Sequence, residues 1–287
     1  MKQKILVIGG TGMLGKPVAM KLKEKGFQII IFTRNASEAR IKMPTSFEFC
    51  EGDVNDIVSL QNAMEGCYGV HVNLQGGPKF DAMERTEHLG MVNIVDAARI
   101  SGIKKITHIT GSSVKMENTW FRPTRAKYNA EEYLKKSGIN YTIFRPSWFF
   151  ESLPLFIRNN KATIIGENSN PFHWVAADDY AKLVAESYEK PETNNKTLFV
   201  YGPEKMTMAN AITKYVSLTN PEVKISKVPL GMLNLISTIT FNPELKYVSK
   251  LSAYFSKINP ENGEAQETEQ LLGKSKTNLE DWVTHSN

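Results

Sequence analysis

Cysteine is scarce in this chain: 287 residues hold only Cys50 and Cys67. Two thiols exclude a disulfide scaffold, and both read as buried or reduced thiols of a cytosolic protein. Histidine is scarce too. His71, His88, His108, His173 and His285 show no metal-ligand spacing, and no His-Glu-x-x-His occurs, so no metal is expected. His108 falls inside the fifth strand, Lys105–Thr110, and reads as a packed core residue. No apolar run approaches the roughly 20 residues of a membrane helix. The stretch Ile5–Ile8, after Lys4, is too short for an export signal and ends in glycine. A cytoplasmic location and no membrane partner are the resulting expectations. Charge is nearly balanced, with 35 Lys and Arg against 30 Asp and Glu and a net charge of +5. The basic residues are scattered rather than interleaved with aromatics, which argues against nucleic acid. There is no Gly-x-Ser-x-Gly elbow and no Walker-type lysine, which argues against an α/β-hydrolase and an ATP site.

What is present is alternation. A short apolar run of β-branched type, Ile5–Ile8, and further short runs at Gln28–Phe32, Phe47–Cys50, Tyr68–Asn73, Lys105–Thr110 and Tyr141–Arg145 read as strands. A long helix is predicted over Asp81–Ser101, with Met91, Ile94, Val95 and Ala98 on one face. Another is predicted over Arg125–Ser137, closed by Gly138 in a left-handed cap. Strands alternating with helices predict an α/β fold, a doubly wound parallel sheet covered on both faces. Residues 1–150 form the expected sheet domain, and residues 170–205 return to it through a helix at Ala177–Lys190 and a strand at Leu198–Tyr201. Residues 151–169 and 206–287 are left for a smaller, mostly helical lobe. Its predicted helices are Met208–Leu218, Leu230–Ile239, Leu245–Phe255 and Leu279–Val283.

The strongest local signal is Gly9-Gly10-Thr11-Gly12-Met13-Leu14-Gly15. It follows the first strand and opens a helix. One glycine makes a tight turn, one admits a pyrophosphate close to the backbone, and one lets helix pack on strand. Free amides at the helix N-terminus then hold the anion. The end of the second strand selects the dinucleotide. Phe32-Thr33-Arg34-Asn35 offers no acid for the ribose hydroxyls, whereas Arg34 suits a 2′-phosphate. NADP(H) is therefore expected over NAD(H). Asp53, beside Val54 after the third strand, has two readings: an acceptor for the adenine amino group, or a helix cap near Asn55.

The glycine stretch resembles the fingerprint of extended and atypical short-chain dehydrogenases/reductases. Lys127-Tyr128-Asn129-Ala130-Glu131-Glu132-Tyr133-Leu134, then Ser137-Gly138 and Tyr141-Thr142-Ile143-Phe144-Arg145-Pro146, resemble the NmrA-like atypical branch. Val175–Ala181 and Leu198–Glu204 resemble later segments of that branch. The resemblance spans about residues 4–205. It implies a Rossmann fold with NADP(H) along Gly9, Thr11, Gly12, Met13, Leu14, Arg34, Asp53, Val54, Leu74, Gln75 and Gly76. It also exposes a departure. Catalytic members of the superfamily carry Tyr-x-x-x-Lys, and here Pro123 stands four residues before Lys127.

Lys127 is a candidate for cofactor or substrate contact, a reading favoured over a solvated helix lysine. Ser112, ending the fifth strand, is a candidate carbonyl-binding serine or a plain loop serine. Arg145 is suited to pair with Glu131. Trp148, Phe149 and Phe150 follow the sixth strand, where open α/β sheets bind ligands. They read either as a flat, apolar substrate pocket or as core between lobes. The expectation is an NADPH-dependent reductase of a quinone, enone or similar small, apolar or aromatic acceptor. The alternative is an inactive NADP(H) sensor with a protein partner. Rings open to a pocket favour the first, and rings sealed in core favour the second.

Overall fold

The computed structural model describes residues 3–44, 46–166 and 170–286. Its first half lays down strand and helix in turn: β1 (Lys4–Ile8), α1 (Gly15–Glu24), β2 (Gln28–Thr33), α2 (Ala36–Lys42), β3 (Glu48–Glu51), α3 (Ile57–Met64) and β4 (Gly69–Val72). Next come α4 (Phe80–Met83), a π-helical stretch (Glu84–Leu89), α5 (Gly90–Ile100), β5 (Lys105–Ile109), α6 (Arg122–Lys135) and β6 (Asn140–Pro146). The second half holds β7 (Trp148–Phe149), β8 (Ile157–Arg158), β9 (Lys161–Ile165), β10 (Phe172–Val175), α7 (Ala177–Ser187), β11 (Lys196–Val200), β12 (Glu204–Met206), α8 (Met208–Thr219) and β13 (Lys224–Val228). Helices α9 (Leu230–Ile239), α10 (Pro243–Phe255), α11 (Gln266–Leu272) and α12 (Leu279–Ser286) complete it.

Seven parallel strands form the main sheet, in the order β11-β6-β5-β4-β1-β2-β3. The order reverses between β1 and β4, which opens a crevice at their carboxyl ends. The central strand β1 and Ile29–Phe32 of β2 are apolar because both faces are covered. Ile5 and Val7 point to one face, against Val18 and Leu22 of α1 and Tyr180 and Val184 of α7. Leu6 and Ile8 point to the other, against Leu60, Met91, Ile94 and Val95. Each such side chain contributes about 1.5–3 kcal/mol by burial. The pairing Ile5↔Ile29 and Leu6↔Ile30 fixes the register, since a one-residue slip would exchange the two faces.

The helix expected over Asp81–Ser101 is interrupted. A wide π turn occupies Glu84–Leu89, between α4 and α5. Gly90 follows it, where a Cβ would lie 2.9 Å from Val54. Helices α2 and α3 lack a strong periodic signal but carry side-chain caps, Asn35 accepting from Glu38 N and Asp56 from Val58 N. Gly138 takes the left-handed backbone expected of it, with φ +77.

In the second half the predicted helices are joined by two small sheets that periodicity did not reveal, β12-β10-β7 and β13-β9-β8. These strands are two to five residues long, too short for a pattern. They share a third core with Phe150, Trp174, Ile212, Val216, Leu279 and Val283. Residues 167–169 of this lobe lie outside the described residues. Among the described residues no helix is long and apolar enough to cross a membrane.

Candidate functional site

A cleft of about 560 Å³ runs along the carboxyl ends of β1 to β4. Its floor is the turn after β1. Gly9 has φ +79, and a Cβ there would come within 2.0 Å of the Asn73 carbonyl. Gly15 is equally constrained: its Cβ would fall 2.2 Å from the Gly9 carbonyl, so α1 can pack on β1 only without one. The Gly12 amide donates to Gly9 O at 3.1 Å and closes the turn. Helix α1 then begins with no side-chain cap and no acid in its first turn. The Lys16 amide is taken by Gly12 O and Pro17 has none, so the turn amides leading into the helix are the ones available to an anion.

Of the sequence-derived positions, Gly9, Thr11, Arg34, Asp53, Val54, Leu74, Gln75 and Gly76 line this cleft together. Gly12 and Met13 face an adjoining depression with Lys16 and Asp178. Leu14 turns inward and packs against the core. Arg34 is exposed and has no hydrogen-bond or ion-pair partner among the described residues. Lys42 and Arg85 also line the cleft, so three cations face the two carboxylates of Glu38 and Asp53. Asp53 holds Asn55 through one oxygen, Oδ1, at 2.8 Å to the amide and 2.7 Å to Nδ2. The cap of α3 is Asp56 rather than Asp53.

Lys127 stands on α6, half-buried beyond the Gly76 loop. Its ammonium lies 2.7 Å from Glu87 Oε2, while Glu87 Oε1 accepts from the Gly76 amide at 3.0 Å. Glu87 thus joins the β4 loop to Lys127. It is nearly fully buried and sits on the π turn. Sequence reasoning missed it, although a signal was present: Glu87 is one helical turn before Met91, a carboxylate on an apolar face. Pro123 occupies the first turn of α6, where it can donate no proton. The expected Arg145–Glu131 pair is present, with Arg145 Nε donating to Glu131 Oε1 at 3.0 Å and Thr110 Oγ1 adding a 2.6 Å bond.

Ser112 lies apart from the cleft lining and is covered. Its hydroxyl donates to Pro260 O at 2.7 Å, and Asn262 Nδ2 donates to its carbonyl at 3.0 Å. The segment Asn259–Gly263 crosses the sheet end here. Burial would raise the Glu261 carboxyl. Hydrogen bonds from the His173 side chain and amide and from Ser147 outweigh that and hold it at about 2.

Of the three rings after β6, Phe149 and Phe150 are core and Trp148 packs half-buried against it, which favours the core reading over the substrate pocket. Phe150 is fully buried, stacked between Trp174 and Trp282 with centroids at 5.9 and 5.8 Å. Phe149 packs on Tyr180, and Trp148 on Phe172 and Phe255. Strand β10 and helices α10 and α12 supply these covering surfaces from far along the chain. A different aromatic group lies beside Lys127. Phe80 meets Phe121 and Tyr247 at 6.1 and 6.3 Å, Phe121 stacks on Tyr254 at 4.4 Å, and Trp120 adjoins Tyr254. Burial raises the Tyr247 hydroxyl to about 12, with the Glu87 charge adding to it.

Residues 9–191 match the family described as NAD(P)H-binding. The chain belongs to the NAD(P)H-binding family. Membership agrees with the dinucleotide fingerprint after β1. Similar proteins include assembly factors and reductases. Photosystem II assembly factor Ycf39 of Trieres chinensis is 26% identical over 93% of this chain and 85% of its own length. NAD(P)H azoreductase of Xenophilus azovorans is 23% identical, covering 79% of this chain and 78% of its own. Among solved structures, an NADPH-dependent quinone oxidoreductase from Escherichia coli aligns with a TM-score of 0.72 at 19% identity, over 98% of this chain and 99% of that one.

Buried histidines lie under the site. His71 Nδ1 contacts Thr107 Oγ1 at 2.9 Å, and His108 Nδ1 contacts Val72 O at 3.2 Å. Burial holds His71 neutral down to about pH 3 and His108 to about pH 4. His108 is the packed core residue expected of it, 3% exposed. Both cysteines are free thiols, and burial raises Cys67 to about 11.

Proposed function

We propose that the chain is an NADPH-dependent reductase of a small, electron-poor, apolar acceptor such as a quinone or enone. The observation that carries the reading is Arg34, unpaired and exposed in the same cleft as the glycine turn. Its guanidinium would hold the 2′-phosphate, the turn amides leading into α1 and Thr11 the pyrophosphate, and the free Oδ2 of Asp53 the adenine amino group. Leu74, Gln75 and Gly76 would flank the nicotinamide half, with Lys127 contacting the ribose. Bound there, NADPH supplies a hydride.

The chain's own task is then to seat the acceptor and exclude water. Phe80, Tyr247 and Trp120, packed on the buried ring of Tyr254, would offer the flat apolar surface this needs. A quinone tolerates the missing tyrosine, because its reduced oxygens take protons from water. The azoreductase and quinone oxidoreductase among the similar proteins support the reading.

A second reading is an NADP(H)-binding protein that acts through a protein partner. The sealed rings of Phe149 and Phe150 and the covered Ser112 favour it, as does the similarity to assembly factors. Steady-state NADPH oxidation against a panel of quinones and enones separates the two. Turnover that falls in Arg34→Ala and Lys127→Ala supports the reductase. Tight NADPH binding with no turnover for any acceptor replaces it with the second reading.

A further inference from the structure

We infer that α9 is a docking face for an anionic lipid surface, on which the protein rests peripherally. Met232, Leu235, Ile236 and Ile239 are exposed by 53%, 61%, 39% and 67%. At 3.6 residues per turn they fall within an arc of about 100°. Leu233 and Ser237, on the opposite side of the helix, are buried, and α10 packs against α9. The exposed stripe is therefore the helix's second apolar face, and nothing in the described chain covers it.

Phe241 extends the stripe. It follows the last helical turn with φ +51, a backbone region where glycine is the usual residue. A phenylalanine there is strained, and its ring is 89% exposed, so no packing within the chain repays the strain.

Charge around the stripe selects the occupant. No charged side chain lies between Leu230 and Pro243. The elements on either side carry exposed lysines: Lys224 and Lys227 on β13, which runs into α9 through Pro229, and Lys246 and Lys250 on α10. Across residues 221–257 there are five lysines against Glu222 and Glu244. An apolar helix face with lysines at its margins matches a bilayer interface, with apolar groups in the acyl boundary and ammonium groups at the phosphates. A second copy of the chain would set the same lysines against each other. An apolar acceptor dissolved in lipid would reach the enzyme from such a surface, but the inference stands on α9 and does not depend on reductase activity.

Vesicle co-sedimentation of the full chain tests it, with phosphatidylcholine vesicles beside vesicles containing phosphatidylglycerol. The chain is expected to pellet with the anionic vesicles and to be released by high salt. Replacing Lys224, Lys227 and Lys246 by Gln should weaken binding by about fivefold per lysine. Ile236→Asp with Ile239→Asp should abolish it while leaving the melting temperature and NADPH affinity unchanged. Failure to pellet with either vesicle would overturn the inference, as would equal binding to both that the lysine changes do not alter. A dimer in solution that Ile239→Asp dissociates would also overturn it, since the face would then belong to a second copy.

Discussion

The cofactor cleft and the ground beyond Lys127 are built in different ways. In the cleft every wall follows its own strand: Gly9 and Thr11 after β1, Arg34 after β2, Asp53 after β3, Leu74 and Gly76 after β4. Beyond Lys127 the contacts join residues more than a hundred positions apart. Ser112 meets Pro260, Thr124 donates to Tyr254, and Phe80 meets Tyr247. A cleft made of strand ends needs only the right short segments in a parallel sheet. A pocket made of distant segments needs the lobe to fold onto the sheet first. The dinucleotide half is therefore the part that a short local pattern can specify, and the acceptor half is where related chains are free to differ.

The largest expected effect breaks the cleft alone. Gly9→Ala sets a Cβ 2.0 Å from the Asn73 carbonyl on a backbone with φ +79. It should cost about 3 kcal/mol or more and abolish NADPH binding, read by thermal melting and titration. A variant of normal stability and affinity would show that the turn is not held as described.

Next is the joint between the two regions. Glu87→Gln keeps the Gly76 hydrogen bond but removes the charge opposite Lys127. NADPH affinity should fall by up to about tenfold, equal to 1.4 kcal/mol. Lys127 is partly exposed, so solvent screening keeps the effect on stability smaller.

Acid should act on the core under both regions. His71 and His108 are depressed in the fold, so the unfolded chain binds more protons once the pH falls below about 6.5. Stability should decline from there towards pH 4, where His108 begins to protonate in the fold. His108→Gln should flatten that part of the denaturation profile, measured by urea midpoints across pH.

The smallest effect is expected beyond Lys127. Ser112→Ala removes one hydrogen bond to Pro260 and should cost about 1 kcal/mol of stability. NADPH affinity should not change. A large loss of affinity would mean that Ser112 reaches the cofactor and that the Asn259–Gly263 segment leaves it.

The same contrast explains what could be read from the chain. The strands were legible because Ile5–Ile8 and Gln28–Phe32 are apolar on both faces. The Arg145–Glu131 pair was legible because both residues lie on adjoining elements. Glu87 carried a signal, its place one turn before Met91 on the apolar face, but its partners, the Gly76 amide and Lys127, lie on other elements that the helical pattern does not name. The rings at Trp148–Phe150 were ambiguous because their partners, Trp174 and Trp282, are separated from them by up to half the chain. The short strands β7 and β12 hold too few residues for alternation to register.

Calorimetric titration of NADPH and NADH into the wild-type chain and Arg34→Ala tests the central claim most directly. NADPH should bind the wild type more tightly than NADH. Arg34→Ala should weaken NADPH by about ten- to a hundredfold, the loss of one charge-assisted hydrogen bond, and leave NADH unchanged. Equal affinity for the two dinucleotides, or an NADPH affinity indifferent to Arg34, would contradict the account.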